Sequence, residues 1–194
     1  MAPLVRCVKA LSFVTLVFGM LAPPALADRS LSGPILLEDF RMQPDTRWRF
    51  FSDQVMGGVS TGGVAFTQER GVHFARMTGR VSIANRGGFI QMRLDLASTP
   101  PAGTVGVRLV VRGNSQRYFV HLRTGGTFLP WQYYQAGFDV SETWKEVRLP
   151  FDAFKASSSL LRNVPRPESL SSVAVVAYGR DHDARIDVRE VSFF

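Results

Sequence analysis

Ser52-Asp53-Gln54-Val55-Met56-Gly57-Gly58-Val59-Ser60 sets a double glycine among small polar residues and leads into the strand-like Gly63-Val64-Ala65-Phe66. Asn85-Arg86-Gly87-Gly88-Phe89 repeats the device and leads into Ile90-Gln91-Met92-Arg93-Leu94. Paired glycines mark places where the backbone turns tightly or is approached closely. Because both turns feed runs of branched and aromatic residues, they point to a β-rich domain. Neither stretch is a phosphate-binding or catalytic signature by itself.

Outward from these turns the periodicity stays that of strands. The predicted strands are 35–40, 48–51, 63–68, 72–77, 89–96, 104–112, 118–123, 131–138, 144–149, 173–178 and 185–194. Each is short, β-branched or aromatic, and bounded by turn chemistry. Only 151–161 has room for a short helical turn. Many short strands without an intervening helical period predict an all-β fold, an antiparallel β-sandwich or jelly roll.

The N-terminus follows different rules. Arg6 and Lys9 precede an apolar run over 11–22, and Ala25-Leu26-Ala27 has the small-x-small form of a cleavage site. This predicts a signal peptide over 1–27 and a single domain over 28–194 that is periplasmic or secreted. Pro23 and Pro24 break the apolar run short of the roughly 20 residues a membrane span needs, so no stable span is expected after cleavage. The one cysteine, Cys7, lies in the leader. The exported part therefore has no disulfide, thiolate nucleophile or Cys-ligated metal, and relies on its own core.

The formal charge of the chain is +7, and loss of Arg6 and Lys9 leaves +5. Beyond the leader the only lysines are Lys145 and Lys155, so the positive charge is almost all arginine. Guanidinium groups bind carboxylates in a bidentate way, which suits an acidic glycan, an anionic lipid or an acidic protein. Nucleic acid is not expected as a partner of an exported chain without a basic run.

Alternation assigns faces. Ile90, Met92, Leu94 and Leu96 form one side of their strand, Val107, Leu109 and Val111 of the next, and Tyr118, Val120 and Leu122 of the third. If these strands share a sheet, the opposite face carries Gln91, Arg93, Arg108, Arg112, His121 and Arg123, a polar platform for a ligand or a solvated outer surface.

Several apparent chemical signals carry little. Gly58-Val59-Ser60-Thr61-Gly62 matches Gly-x-Ser-x-Gly, but a nucleophile elbow needs a helix after the serine, and a strand follows here. Asp181-His182-Asp183 reads as a solvated hairpin turn between the last two strands. His73 and His121 are too isolated for a zinc site. No catalytic residue, cofactor or metal is therefore predicted. Glu38, Asp39, Asp187 and Glu190 leave open a structural calcium where the terminal strands meet, with Arg185 and Arg189 as the simpler partners.

Taken together, Trp48, the elements 52–60 and 85–89, 105–113 with Tyr118, and 144–151 ending in Phe154 resemble the complex I intermediate-associated protein 30 family. The Asp-x-Val-Met-Gly-Gly-x-Ser element at 53–60 carries most of the likeness. Arg86 departs from it, standing where the family often has asparagine, and 154–170 matches poorly. The resemblance implies a galactose-binding-like jelly roll. It also implies a non-catalytic, protein-binding assembly or chaperone-like factor, here displaced outside the cytoplasm by the leader. Ligand- or partner-binding residues are then expected at Trp48, Asp53, Met56, Gly57, Gly58, Ser60, Asn85, Gly87, Gly88 and Phe89, with Arg93, Arg112, Tyr118 and Arg123 from the polar strands. Asp53, Ser60 and Asn85 have side-chain oxygens that either fix the glycine loops or contact a ligand.

The alternative is a carbohydrate-binding module for acidic glycans. Trp131, Tyr133, Tyr134 and Trp144 have flat rings that either stack on sugars or fill the core. That alternative predicts Trp131 or Tyr133 exposed beside Arg112 or Arg123. The assembly-factor reading predicts an exposed apolar patch near the double-glycine loops.

Overall fold

The turn-punctuated runs pair into two antiparallel sheets in a computed structural model that describes Met1 and residues 33–194. The signal-peptide segment 2–27 and Asp28 lie outside the described residues. In chain order the strands are β1 (Ile35–Glu38), β2 (Trp48–Ser52), β3 (Thr61–Glu69), β4 (Val72–Val81), β5 (Phe89–Asp95) and β6 (Gly106–Gly113). They continue as β7 (Arg117–Thr124), β8 (Tyr134–Asp139), β9 (Lys145–Pro150), β10 (Lys155–Ala156), β11 (Leu170–Tyr178) and β12 (His182–Phe193). The first sheet has the order β3-β4-β12-β6-β9, with β1 paired to the C-terminal half of β12. The second has the order β10-β8-β7-β11-β5-β2.

The inward faces are those that alternation assigns. Ile90, Met92 and Leu94 of β5, Val107, Leu109 and Val111 of β6, and Tyr118, Val120 and Leu122 of β7 join one buried cluster between the sheets. The polar atoms of its aromatic members are satisfied, as burial requires. The Trp48 indole N–H donates to Glu38 at 2.9 Å. The Tyr118 hydroxyl donates to Asn114 Oδ1 at 2.7 Å and accepts from the Arg185 N–H at 2.8 Å, and burial pushes its pKa up to about 12.

The fold moves two groups of residues from where the sequence places them, and keeps the short helical turn expected after Leu149. The strands carrying the polar platform do not share a sheet: β5 and β7 lie in the second, while β6 lies in the first between β12 and β9. Trp131 and Tyr133 precede β8, in a segment whose backbone is taken up by turn bonds such as Gln132 N–H to the Leu129 carbonyl. The turn expected over 151–161 is a 3₁₀ turn at Phe151–Ala153 followed by the two-residue β10. Gly179, at φ 83°, lets β11 turn directly into β12.

Candidate functional site

The two double-glycine loops meet at one carboxylate. Asp53 opens a 3₁₀ turn (Asp53–Met56) between β2 and β3 and is wholly buried. Its Oδ1 accepts from the Ser60 N–H at 2.9 Å, and its Oδ2 accepts from Ser60 Oγ and from the N–H groups of Gly88 and Phe89. Ser60 Oγ in turn accepts from the Ser82 N–H at 2.9 Å. Burial works against the Asp53 charge, but the donors from Ser60, Gly88 and Phe89 outweigh it and hold the carboxyl below its usual range.

The glycines are dictated by this closeness. A Cβ on Gly58 would stand 2.3 Å from Asp53 Cγ, and one on Gly87 would stand 2.3 Å from Asp53 Oδ2. Asn85 and Arg86, at φ 56° and 59°, bring the second loop round to the carboxylate. Asp53, Gly58, Ser60, Gly87 and Gly88 therefore build the junction, while Trp48 and Tyr118, expected as binding residues, lie buried in the core with partners elsewhere. The residues it presents are Met56, Gly57 and Asn85, with Phe89 half-buried. Val55, Met56, Val59 and Ile83 also stand exposed around it, Val55 at 70 % and Met56 at 58 %.

Ser60 has no exposed surface and is followed directly by β3, an arrangement opposite to a nucleophile elbow. His182 and Asp183 fall at the start of β12 instead of in the turn, and Asp181 accepts from the Ile83 N–H at 2.8 Å.

On the outer face of the first sheet, arginines and carboxylates interlock. Asp187, with its side chain 3 % exposed, accepts from Arg76 Nε at 2.7 Å and Arg112 Nε at 2.7 Å. Glu69 binds the same two arginines. Burial opposes the Asp187 charge, but Arg76 and Arg112 more than offset it and hold the carboxyl low. Arg108 pairs with Glu146 and Glu190, and Arg148 with Glu146. Arg112 also lies over the Trp144 ring at 4.6 Å, beside a cavity of about 660 Å³ lined by Glu69, Arg70, Val72, Phe74 and Trp144.

Arg108 and Arg112, expected beside Arg93 and Arg123, thus sit on the opposite side of the molecule and are already paired. The terminal strands meet as expected, yet Glu38, Asp187 and Glu190 are held by Arg47, Arg76, Arg112 and Arg108, not by Arg185 and Arg189. Among the described residues no cluster of three potential metal-ligating side chains occurs.

The outer face of the second sheet keeps Gln91, Arg93, His121 and Arg123 together and adds Arg49 and Phe51 from β2. Alternation within β2 would have found these two, since Trp48 and Phe50 point inward. Arg93 lies over the Phe51 ring at 4.6 Å and Arg49 at 5.7 Å. Asp95 serves both arginines. Arg123 bonds the carbonyls of Thr127 and Leu129 at 2.9 and 3.0 Å, fixing the loop that holds Trp131 at 60 % exposure. Tyr133 lies flat on His121, with centroids 4.1 Å apart and planes 9° from parallel. His121 Nε2 donates to Gln135 Oε1 at 2.8 Å. Burial drives the imidazole pKa down to about 4 despite that bond, so it is neutral at pH 7.

The model of the family described as complex I intermediate-associated protein 30 matches residues 39–179, and the chain belongs to that family. No curated protein sequence matches the chain. Among solved structures, the chain is similar to the family 11 carbohydrate-binding module of the cellulosomal cellulase Lic26A-Cel5E of Clostridium thermocellum. The TM-score is 0.68 at 10% identity, over 84% of this chain and 94% of that one. The Clostridium thermocellum family 11 module in complex with a β-1,3-1,4-mixed-linked tetrasaccharide gives 0.67 at 11% identity, over 84% and 95%. An exo-β-agarase gives 0.57 at 6% identity, with 84% of this chain covering 25% of that longer one. At these identities the likeness is one of fold, and it makes the all-β sandwich a galactose-binding-like jelly roll.

Proposed function

We propose that this chain is a non-catalytic binding protein, an assembly or chaperone-like factor that acts in the periplasm or as a secreted protein and docks a protein partner on the double-glycine junction. The observation that carries the reading is the exposure of Val55, Met56, Val59 and Ile83 on loops that Asp53 locks together. Exposed apolar residues rimming a turn rich in glycine and small polar groups fit a partner-binding patch. A loop held by a buried carboxylate loses little conformational freedom on binding, which favours affinity. Membership of a family named for association with assembly intermediates supports the same reading. The signal-peptide pattern read in the sequence over 1–27 supports action outside the cytoplasm. No helix among the described residues is long and apolar enough to cross a membrane.

The test is crosslinking and pull-down from envelope extract with the wild-type protein and with Val55→Ser/Met56→Ser. The variant should keep the native melting temperature and lose the captured partner. Capture at the wild-type level by the folded variant would overturn the reading.

A second reading, a carbohydrate-binding module, is supported by the exposure of Trp131 in the loop that Arg123 fixes. The tetrasaccharide complex of a structurally similar module accords with it.

A further inference from the structure

The second sheet's outer face sets several arginines around few carboxylates. Arg49 and Arg93 stand directly opposite each other on β2 and β5, a like-charge pairing that costs stability and that recurs on the first sheet at Arg108 and Arg148, where Glu146 and Glu190 serve the pair. Arg123 lies on β7, across Ser172 and Ala174 of β11 from β5. One carboxylate, Asp95, serves Arg49 and Arg93. Among the described residues Arg123 has no carboxylate within ion-pair distance, and its Nη1 makes no hydrogen bond. Arg93 Nε is buried and makes no hydrogen bond, although Asp95 Oδ1 lies 3.1 Å away, out of line. Burial and the charges of Arg49 and Arg123 hold the Arg93 pKa below its ordinary value. Such a departure from local stability rules is expected where a surface has been shaped for a ligand.

The surroundings say which ligand. The outward residues of β11 between β5 and β7 are small: Ala174 and Ser172 form a floor that their longer neighbours cover. Two strand spacings, about 10 Å, separate β5 from β7 across that floor. At the β7 side Tyr133 lies flat on His121, so one ring face is covered, while the residue as a whole stays half-exposed. Its orientation is pinned at the hydroxyl, which donates to Tyr178 at 3.4 Å, and at the backbone N–H, which donates to Ser157 Oγ at 2.9 Å. Because β11 is hydrogen-bonded on both sides, it has no free backbone edge for an extended peptide. A ligand on this face must be read by side chains alone.

We propose that this face binds a carboxylate-bearing saccharide, with the guanidinium groups of Arg93 and Arg123 holding a uronate carboxylate and Tyr133 stacking on the apolar face of a neighbouring sugar ring. Guanidinium forks match a planar carboxylate, and an aromatic face suits the C–H surface of a pyranose. The inference rests on the carbohydrate reading and assigns its acidic ligand to one face and to named residues.

Isothermal titration of the mature protein compares tetragalacturonate, a neutral mixed-linked β-glucan tetrasaccharide and tetraglutamate. The uronate should bind, with an affinity that falls as salt is raised, and more tightly than either control. Arg93→Gln/Arg123→Gln and Tyr133→Ala should each weaken it at least tenfold, and Arg148→Gln on the other sheet should leave it unchanged. Arg123→Gln alone carries the test should the double variant fail to fold. Equal affinity for the neutral glucan would overturn this inference while leaving the carbohydrate reading standing. Equal affinity for tetraglutamate would overturn it as charge attraction without sugar recognition. Binding of no saccharide would overturn both.

Discussion

The two outer faces of the sandwich use the same residue type to opposite ends. On the first sheet Arg76, Arg108, Arg112 and Arg148 are matched by Glu69, Glu146, Asp187 and Glu190, each arginine in contact with at least one of the four. On the second, Arg49 and Arg93 share Asp95, and Arg123 has no carboxylate within ion-pair distance among the described residues. These four arginines of the first sheet are each matched by a carboxylate, although among the described residues Arg80, Arg185 and Arg189 of the same sheet are not, whereas the cluster on the second is left under-matched. Arginine content alone therefore says little about where this protein binds anions. The number of carboxylates within reach of each guanidinium separates a structural lattice from a receptive surface.

The largest way to break the first face is Asp187→Ala. It leaves Arg76 and Arg112 over a nearly buried site with only Glu69, a loss of about 3–5 kcal/mol for one partner removed from a buried pair. Urea denaturation should show a lower midpoint with an unchanged slope. A loss within error of zero would mean that the lattice is not a stabilising device.

Acid should separate the faces next. His121 has a folded pKa of about 4 against an ordinary 6.5, so between those values the unfolded chain binds the proton and the folded chain does not. Stability is then full above pH 6.5 and falls as pH drops towards 4, by about 3 kcal/mol over the window. Asp187 on the first face keeps its charge through this range, because Arg76 and Arg112 hold it below the ordinary carboxylate range and its contribution is given up only at lower pH. Melting temperatures from pH 7 to 4 should decline for the wild type and flatten in His121→Gln. Parallel curves would sink the assignment.

The smallest effect should come from Asp95→Ala. Its side chain is 51 % exposed, so the change should cost no more than about 1 kcal/mol. It should also raise uronate affinity by removing the competing carboxylate. Thermal unfolding and titration on the same variant would show whether the under-matched cluster trades stability for binding.

Much of this fold can be read from alternation. The inward sets of β5, β6 and β7 follow from period two, because the core accepts only one side of each strand. Which sheet a strand joins does not follow, since pairing order depends on contacts far apart in sequence. That is why Arg108 and Arg112 seem neighbours of Arg93 and Arg123 until β6 is seen between β12 and β9. Trp48 and Tyr118 mislead for another reason. Their polar atoms would suit a surface, but Glu38, Asn114 and the Arg185 backbone satisfy them in the interior. Val55, Val59 and Ile83 could have been noticed as apolar residues in polar turns, a placement that burial does not explain. That Ala174 and Ser172 lie between Arg93, Asp95, His121 and Arg123 is revealed only by strand register.

The Asp53 junction also acts as a checkpoint on folding. Its donors come from the residue entering β3 and from the turn entering β5, while the carboxylate itself hangs from the end of β2. A chain with only one of these segments in place would bury a charge without its full set of donors, which is costly. The carboxylate thus penalises partly formed states and rewards the complete one, making the edge of one sheet and the edge of the other assemble as a single cooperative step.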